Sequence, residues 1–177
     1  MALEIERKFL VVSDEWRMLT QECRIITDHL IAKFEDASGK ARIRLCDNVA
    51  ILTIKGARRG YARREFHIPL SHSDAASMIE ELGQGAAVMK RRNEVSVDGL
   101  VWQIDEYLGK LSGLVTCDVE LPSEEYSLSK PRWAGADIPA NATFSSSTLA
   151  AMLETGNDHE IKRLLEGAGS VSCLASP

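Results

Sequence analysis

Charged side chains stand at every second position in several short segments of the chain, a spacing that places side chains on one face of a β-strand. The first of these segments carries Glu4, Glu6 and Lys8, which alternate with a largely apolar set. Repeated carboxylates can ligate a hard divalent cation, and repeated ammonium or guanidinium groups can bind phosphate oxygens. The chemistry indicated is the binding of a metal ion, a polyanion or both.

The sign of these charges changes along the chain. The terminal segments supply carboxylates, whereas the middle segments supply arginines and lysines. The solvated face of a half-buried antiparallel sheet also alternates polar and apolar residues, but it normally intersperses the two signs. The acidic set is Glu4, Glu6, Asp118 and Glu120, and the basic set is Arg42, Arg44, Lys55, Arg63, Lys90 and Arg92.

Period-2 alternation recurs up to residue 121, in runs separated by turn residues, and this predicts a mostly antiparallel sheet. Eight such runs are enough to close a barrel. The predicted fold class is α+β, with an eight-stranded antiparallel closed β-barrel and helices packed outside it. Strands are expected at residues 3–11, 24–32, 41–45, 49–55, 61–68, 87–97, 100–107 and 116–121.

Closure of such a barrel with the charged face inward would make the first and last strands neighbours. The four acidic side chains would then converge, and they would raise one another's pKa unless a cation neutralised them. Mg²⁺ or Mn²⁺ is the natural candidate for an all-oxygen site. With arginines and lysines on the opposite wall, the interior is suited to a metal-bound polyphosphate.

Helical patterns interrupt the strands at a few places. Ser73 is predicted to cap a helix that ends at Gly83, and a short helix is expected after Ser13. The three tryptophans, Trp16, Trp102 and Trp133, are expected to be packing anchors. Further helices are predicted at 149–154 and 159–166, irregular structure at 122–147, and a disordered tail at 167–177.

Composition limits the classes of protein that this chain can be. Its 177 residues, 45% of them hydrophobic, fit a single domain, which we place at residues 1–166. A formal net charge of -5 provides no general attraction to nucleic acid or to an anionic membrane. No export signal or membrane span is recognisable, and the four scattered cysteines indicate reduced thiols, so a cytoplasmic location is expected.

These charged motifs, taken in order, resemble those of the CYTH superfamily, also called the triphosphate tunnel metalloenzymes. The resemblance covers roughly residues 3 to 121. Any one of its motifs would be weak alone, but several in the same order make a specific signal. The matching elements are Glu4-x-Glu6-x-Lys8, Arg42-x-Arg44, Leu52-Thr53-Ile54-Lys55, Arg63-x-Glu65, Lys90-x-Arg92, Trp102 with Asp105, and Asp118-x-Glu120-Leu121.

The resemblance implies a barrel whose tunnel binds triphosphate through basic side chains and one or two Mg²⁺ or Mn²⁺ ions through acidic ones. It implies metal binding by Glu4, Glu6 and Glu120, with Asp118 completing the acidic set. Catalytic roles would fall to Lys8, Glu65 and Asp105. The phosphates would be held by Lys8, Arg42, Arg44, Lys55, Arg63, Lys90 and Arg92.

Several positions depart from the family pattern, and two of them bear on the metal site. His67 stands where the family commonly has a glutamate, and this change could weaken a second metal site or alter the pH dependence. Asp118 replaces a usual glutamate, which shortens the reach of the carboxylate by one methylene.

The preferred interpretation is an inorganic triphosphatase that acts on a small-molecule triphosphate, because the opening segment is close to bacterial members with that activity. A class IV adenylate cyclase and a thiamine triphosphatase share the scaffold, although the His-Phe-x-x-Pro mark of the cyclases is not seen here. A non-catalytic module that binds polyphosphate or a nucleotide is the alternative from another class. Whether the protein forms a homodimer is left open.

Overall fold

A computed structural model describes residues 2–34, 39–57, 59–138 and 143–173. Nine strands and three α-helices form most of this part of the chain, with two short 3-10 helices at Glu15–Leu19 and Gly109–Leu111. The strands are β1 (Ala2–Val11), β2 (Thr20–Lys33), β3 (Lys40–Cys46), β4 (Val49–Lys55), β5 (Ala62–Leu70), β6 (Gln84–Val97), β7 (Leu100–Tyr107), β8 (Val115–Glu120) and β9 (Ala134–Asp137), and the helices are α1 (His72–Leu82), α2 (Ser146–Thr155) and α3 (Asp158–Cys173).

Strands β1 to β8 form one antiparallel sheet that closes on itself. Around the barrel the order is β1, β5, β4, β3, β2, β6, β7 and β8, and β8 pairs again with β1. The predicted eight-stranded antiparallel closed barrel is therefore confirmed, with helices outside it. The expected contact between the first and the eighth strand is also confirmed, since Glu6 pairs with Glu120 and Lys8 with Asp118.

The segment expected to be irregular contains a ninth strand. Strand β9 lies along the end of β1, where Phe9 pairs with Asp137 and Val11 with Ala134. This strand has only four residues, and most of their side chains are small, so it shows no alternating pattern. The neighbouring Trp133 instead anchors it, because its ring packs edge-on against Trp102 with 5.1 Å between the ring centroids.

Apolar residues on the outer face of the barrel form one core cluster around Phe9 and Trp102. Trp16, Trp102 and Trp133 are 1%, 0% and 3% exposed, so all three tryptophans are packing anchors as predicted. The charged face of these strands consequently points into the barrel, because successive side chains of a strand alternate between its faces.

Helices α2 and α3 cover one end of the barrel. At this end the inner face becomes apolar, and Leu10, Val88 and Tyr107 pack against Leu149 of α2 and Ile161 of α3. The charged part of the interior is therefore closed on this side, which leaves the opposite end, where β7 begins and β8 ends, as the side from which a ligand can enter.

Helix α1 begins with a different capping residue from the one predicted. Ser71, rather than Ser73, caps α1: its backbone is extended and its Oγ accepts a hydrogen bond from the Asp74 backbone N–H at 3.0 Å. Ser73 lies in the first turn and pairs its hydroxyl with that of Ser71 at 2.9 Å. The end of the helix before Gly83 is as predicted.

The C-terminal helices are longer than predicted. Ser145 caps α2, and α3 continues to Cys173, so the beginning of the segment expected to be a tail is helical. Residues 174–177, the remainder of that segment, lie outside the described residues. Within the described part of the chain, no helix has the length and apolarity needed to cross a membrane.

Candidate functional site

The residues predicted for binding and chemistry lie together inside the barrel. Their side chains reach one another across its interior: Lys55 of β4 lies 3.4 Å from Glu4 of β1, although β5 separates the two strands. The inner face carries Glu4, Glu6 and Lys8 on β1, Arg42 and Arg44 on β3, Lys55 on β4, Arg63 and Glu65 on β5, Lys90 and Arg92 on β6, Asp105 on β7, and Asp118 and Glu120 on β8.

Asp105 is the most deeply buried of these acids and is fully enclosed. Arg92 donates to both of its oxygens at 2.7 Å, and the Lys90 ammonium donates at 2.5 Å. Burial alone would raise the pKa of this carboxyl, but Arg92 and Lys90 hold the pKa well below its usual range. Asp105 is therefore ionised, and it fixes two of the basic side chains expected to bind phosphate.

Asp118 also lies between cations. The Lys8 ammonium donates to Asp118 Oδ1, and Arg92 Nη2 lies 3.6 Å from its other oxygen. Burial would lower the pKa of Lys8, but the charge of Asp118, followed by other acidic groups nearby, raises this pKa above its usual range. The structure thus interleaves the two signs here, whereas the sequence predicted separate acidic and basic walls.

A second group of contacts surrounds Glu4. Arg63 Nε donates to Glu4 at 2.6 Å, and Lys55 Nζ lies 2.9 Å from Glu65. Burial would raise the pKa of Glu65, but a hydrogen bond that Glu65 accepts from the Glu4 carboxyl group and the charge of Lys55 lower this pKa to about 2. His67 lies at the edge of this group, 3.7 Å from Glu65 with a side chain that is 57% exposed.

Three acidic side chains meet near the open end of the barrel. Glu6, Asp118 and Glu120 line a cavity of about 150 Å³ together with Val101 and Gln103. Burial, followed by the charges of nearby glutamates, raises the pKa of Glu120. Negative charge at this point is therefore incompletely neutralised by the protein itself.

This acidic cluster fits a hard divalent cation in its donor chemistry, because Mg²⁺ and Mn²⁺ take carboxylate oxygens. As the side chains stand, no group of three or more His, Cys, Asp or Glu within the described ranges is arranged to hold a metal ion. Glu4 is engaged by Arg63 and Lys55, and Asp118 by Lys8. An incoming ion would have to compete with these cations for the carboxylates.

Asp28 and Lys40 also lie inside the barrel and were not identified from the sequence. Asp28 is 2% exposed and contacts Arg42 and Arg44, and Lys40 donates to Ser146 of α2 at 3.0 Å near the closed end. Alternation could have found both residues. Asp28 is two residues from the inward-facing Ile26 on β2, and Lys40 is two residues before Arg42 on β3.

Lys40, like Lys90, whose pKa burial also lowers to about 7, gives the interior a charge that can change near neutral pH. Burial, followed by Arg42, Lys55 and Arg63, lowers the pKa of Lys40 to about 7. Its ammonium form is therefore lost as the pH rises through this value.

We expect sulfate, whose own charge is constant over this range, to bind the divalent-free protein about fivefold less tightly at about pH 9 than at about pH 6. Isothermal titration calorimetry measures this change. Lys40→Arg keeps the charge and should show a shallower pH dependence, and equal slopes for the two proteins would contradict the role given to Lys40.

Comparisons with known proteins agree with this geometry. The model of the CYTH domain matches residues 2–150. An inorganic triphosphatase from Acetivibrio thermocellus is 30% identical over 149 residues, which cover 84% of this chain and 94% of that protein.

Solved structures show the same barrel. The crystal structure of the inorganic triphosphatase NE1496 aligns with a TM-score of 0.58 at 24% identity, and the match covers 85% of this chain and 96% of that one. The PH1012 protein from Pyrococcus horikoshii aligns with a TM-score of 0.56 at 12% identity over 92% and 90% of the two chains. The family model spans most of the sequence, including every strand of the barrel, and the chain therefore belongs to the CYTH domain family.

Proposed function

We propose that this protein hydrolyses a small-molecule triphosphate, with inorganic tripolyphosphate as the substrate and Mg²⁺ or Mn²⁺ as the required ion. The observation that carries the proposal is a closed barrel whose interior places buried basic side chains beside a carboxylate cluster with incompletely neutralised charge. The choice of tripolyphosphate is supported by the relative named an inorganic triphosphatase, which aligns over 84% of this chain.

The basic side chains would bind the phosphate chain. Arginine guanidinium groups match pairs of phosphate oxygens, and lysines act as point charges. They come from strands all around the barrel, so a linear polyanion can contact several of them at once. This set is Lys8, Arg42, Arg44, Lys55, Arg63, Lys90 and Arg92.

The carboxylates of Glu4, Glu6 and Glu120 would hold the divalent ion, which when bound neutralises phosphate charge and polarises the phosphoryl group. Asp118 would then position Lys8, with which it forms an ion pair, and Asp105 would position Arg92. Glu65 would do the same for Lys55. Catalysis of phosphoryl transfer relies mainly on such positioning and charge stabilisation.

The test is release of orthophosphate from tripolyphosphate, ATP and thiamine triphosphate, each with Mg²⁺, with Mn²⁺ and with a chelator. We expect the highest kcat/KM for tripolyphosphate and no turnover with the chelator. A cyclic AMP assay with ATP covers the alternative of a cyclase on the same scaffold.

Each outcome separates the candidate functions. Preferred turnover of thiamine triphosphate or formation of cyclic AMP would replace the proposed substrate while keeping the site. Tight binding of tripolyphosphate without turnover of any substrate would instead indicate a non-catalytic polyphosphate-binding module.

A further inference from the structure

Asp28 is a carboxylate placed in the middle of the basic side chains that face the substrate. It lies on the inner face of β2, beside β3 and β6. Arg44 donates to it through Nε at 2.8 Å and through Nη2 at 3.0 Å, and Arg42 Nη1 donates at 3.2 Å. The Lys90 ammonium lies 3.8 Å away. One acid thus contacts three of the cations that the proposed function assigns to the triphosphate.

The charge of Asp28 is permanent in the folded protein. Burial would raise the pKa of its carboxyl, but Arg42, Arg44 and Lys90 hold the pKa well below its usual range. An anion that enters the barrel therefore meets a fixed negative charge among these cations. The acid and the incoming phosphate compete for the same N–H donors.

Arg42 has a buried N–H donor without an acceptor. Its Nε is buried and has no hydrogen-bond partner within the described part of the chain, although Nη1 is held by Asp28. A buried guanidinium N–H without an acceptor is costly, because burial removes its bonds to water. The arrangement orients Arg42 through Nη1 and leaves its Nε without an acceptor.

We propose that Asp28 is a positioning residue that orients Arg42 and Arg44 and limits how tightly the barrel holds phosphate anions, so that the products of hydrolysis can leave. This inference rests on the proposed function, because it concerns the same anion site. A site of uncompensated arginines and lysines would bind pyrophosphate and orthophosphate tightly and would be slow to release them. A fixed counter-charge lowers this affinity without removing the donors that recognise the substrate.

This role and a purely structural role predict opposite changes in anion affinity when Asp28 is replaced. If Asp28 served only to hold the arginines in place, its loss would let them disorder, and anions would bind more weakly. If it competes with the anion, its loss releases donors and removes repulsion, and anions bind more tightly. The direction of the change in affinity distinguishes the two roles.

The experiment uses Asp28→Asn, which keeps the shape of the side chain and removes its charge. Pyrophosphate and tripolyphosphate are titrated into the divalent-free protein by calorimetry, so that no turnover is required. We expect the dissociation constants of the variant to fall about tenfold or more relative to the natural protein. In the hydrolysis assay KM and kcat should fall together, and pyrophosphate should inhibit more strongly.

The matched control is Asp158→Asn. It changes the net charge by the same amount, but Asp158 lies on the surface, in an exposed ion pair with Lys110. It should leave both dissociation constants unchanged. Asp28→Ser is a second neutral variant in case Asp28→Asn does not fold, and thermal unfolding checks both. Unchanged or weaker binding by the folded variants would overturn the role of Asp28. Failure of the natural protein to bind tripolyphosphate at all would overturn the proposed function as well.

Discussion

Replacing Glu6 with Gln is expected to lower the divalent-cation-dependent turnover of tripolyphosphate by about 100-fold or more, because changes even to the partners of metal ligands cost 10–100-fold. Glu6 lines the acidic cavity with Asp118 and Glu120 and lies 3.6 Å from Arg63. The amide keeps the volume of the side chain but loses the charge that would attract a hard cation. Steady-state kinetics over a range of Mg²⁺ and Mn²⁺ concentrations measures the effect.

The control for this change is Glu106→Gln on strand β7. Glu106 faces outward and pairs with Arg17 at 2.6 Å, so it tests the same substitution outside the barrel. Its turnover should stay within about twofold of that of the natural protein, as is usual for changes away from a functional site. If Glu6→Gln retained full activity at low metal concentration, the assignment of the acidic cluster to the ion would be wrong.

The fold was predictable because one rule, alternation along strands, acts in every segment. Applied to Glu4, Glu6 and Lys8 and to Asp118 and Glu120, it put the charges of each strand on one face. Closure of the sheet into a barrel then made the first and last strands neighbours, and their pairing is confirmed. Local capping was harder to predict. Ser71 and Ser73 are equivalent in type, and only the backbone path into α1 decides which of them accepts the hydrogen bond from Asp74.

The pairing of charges inside the barrel could not be predicted from alternation. A strand pattern gives the face of a side chain but not its depth, nor which side chain lies opposite it on the next strand. These depend on the register of the sheet, which places Asp105 opposite Arg92 and Asp28 opposite Arg44. Because acidic and basic residues occupy different segments of the chain, the sequence suggested separate acidic and basic walls of the barrel. The folded interior instead pairs acids with bases.

The second large effect is on stability. Replacing Asp105 with Asn is expected to lower the free energy of unfolding by about 3 kcal/mol or more, since removing one partner of a buried ion pair leaves the other charge uncompensated. Asp105 is fully buried and accepts hydrogen bonds from Arg92 and Lys90. Urea or guanidinium unfolding at constant pH measures the difference.

A surface pair provides the comparison. Asp137 accepts two hydrogen bonds from Arg7, but their side chains are 34% and 28% exposed. Asp137→Asn should therefore cost no more than about 1 kcal/mol, the range of solvent-exposed ion pairs. Equal losses for the two variants would mean that burial of Asp105 does not decide its contribution.

The pH dependence gives an independent check on the cause. Because the pKa of Asp105 is lower in the folded protein than in the unfolded chain, its contribution is present above the unfolded value and is lost as the pH falls through the folded one. The difference between the natural protein and Asp105→Asn should thus shrink as the pH falls below about 4, where the unfolded carboxyl takes up its proton. A difference that persisted undiminished into acid would point to lost shape or packing around Arg92 and Lys90 rather than to lost charge.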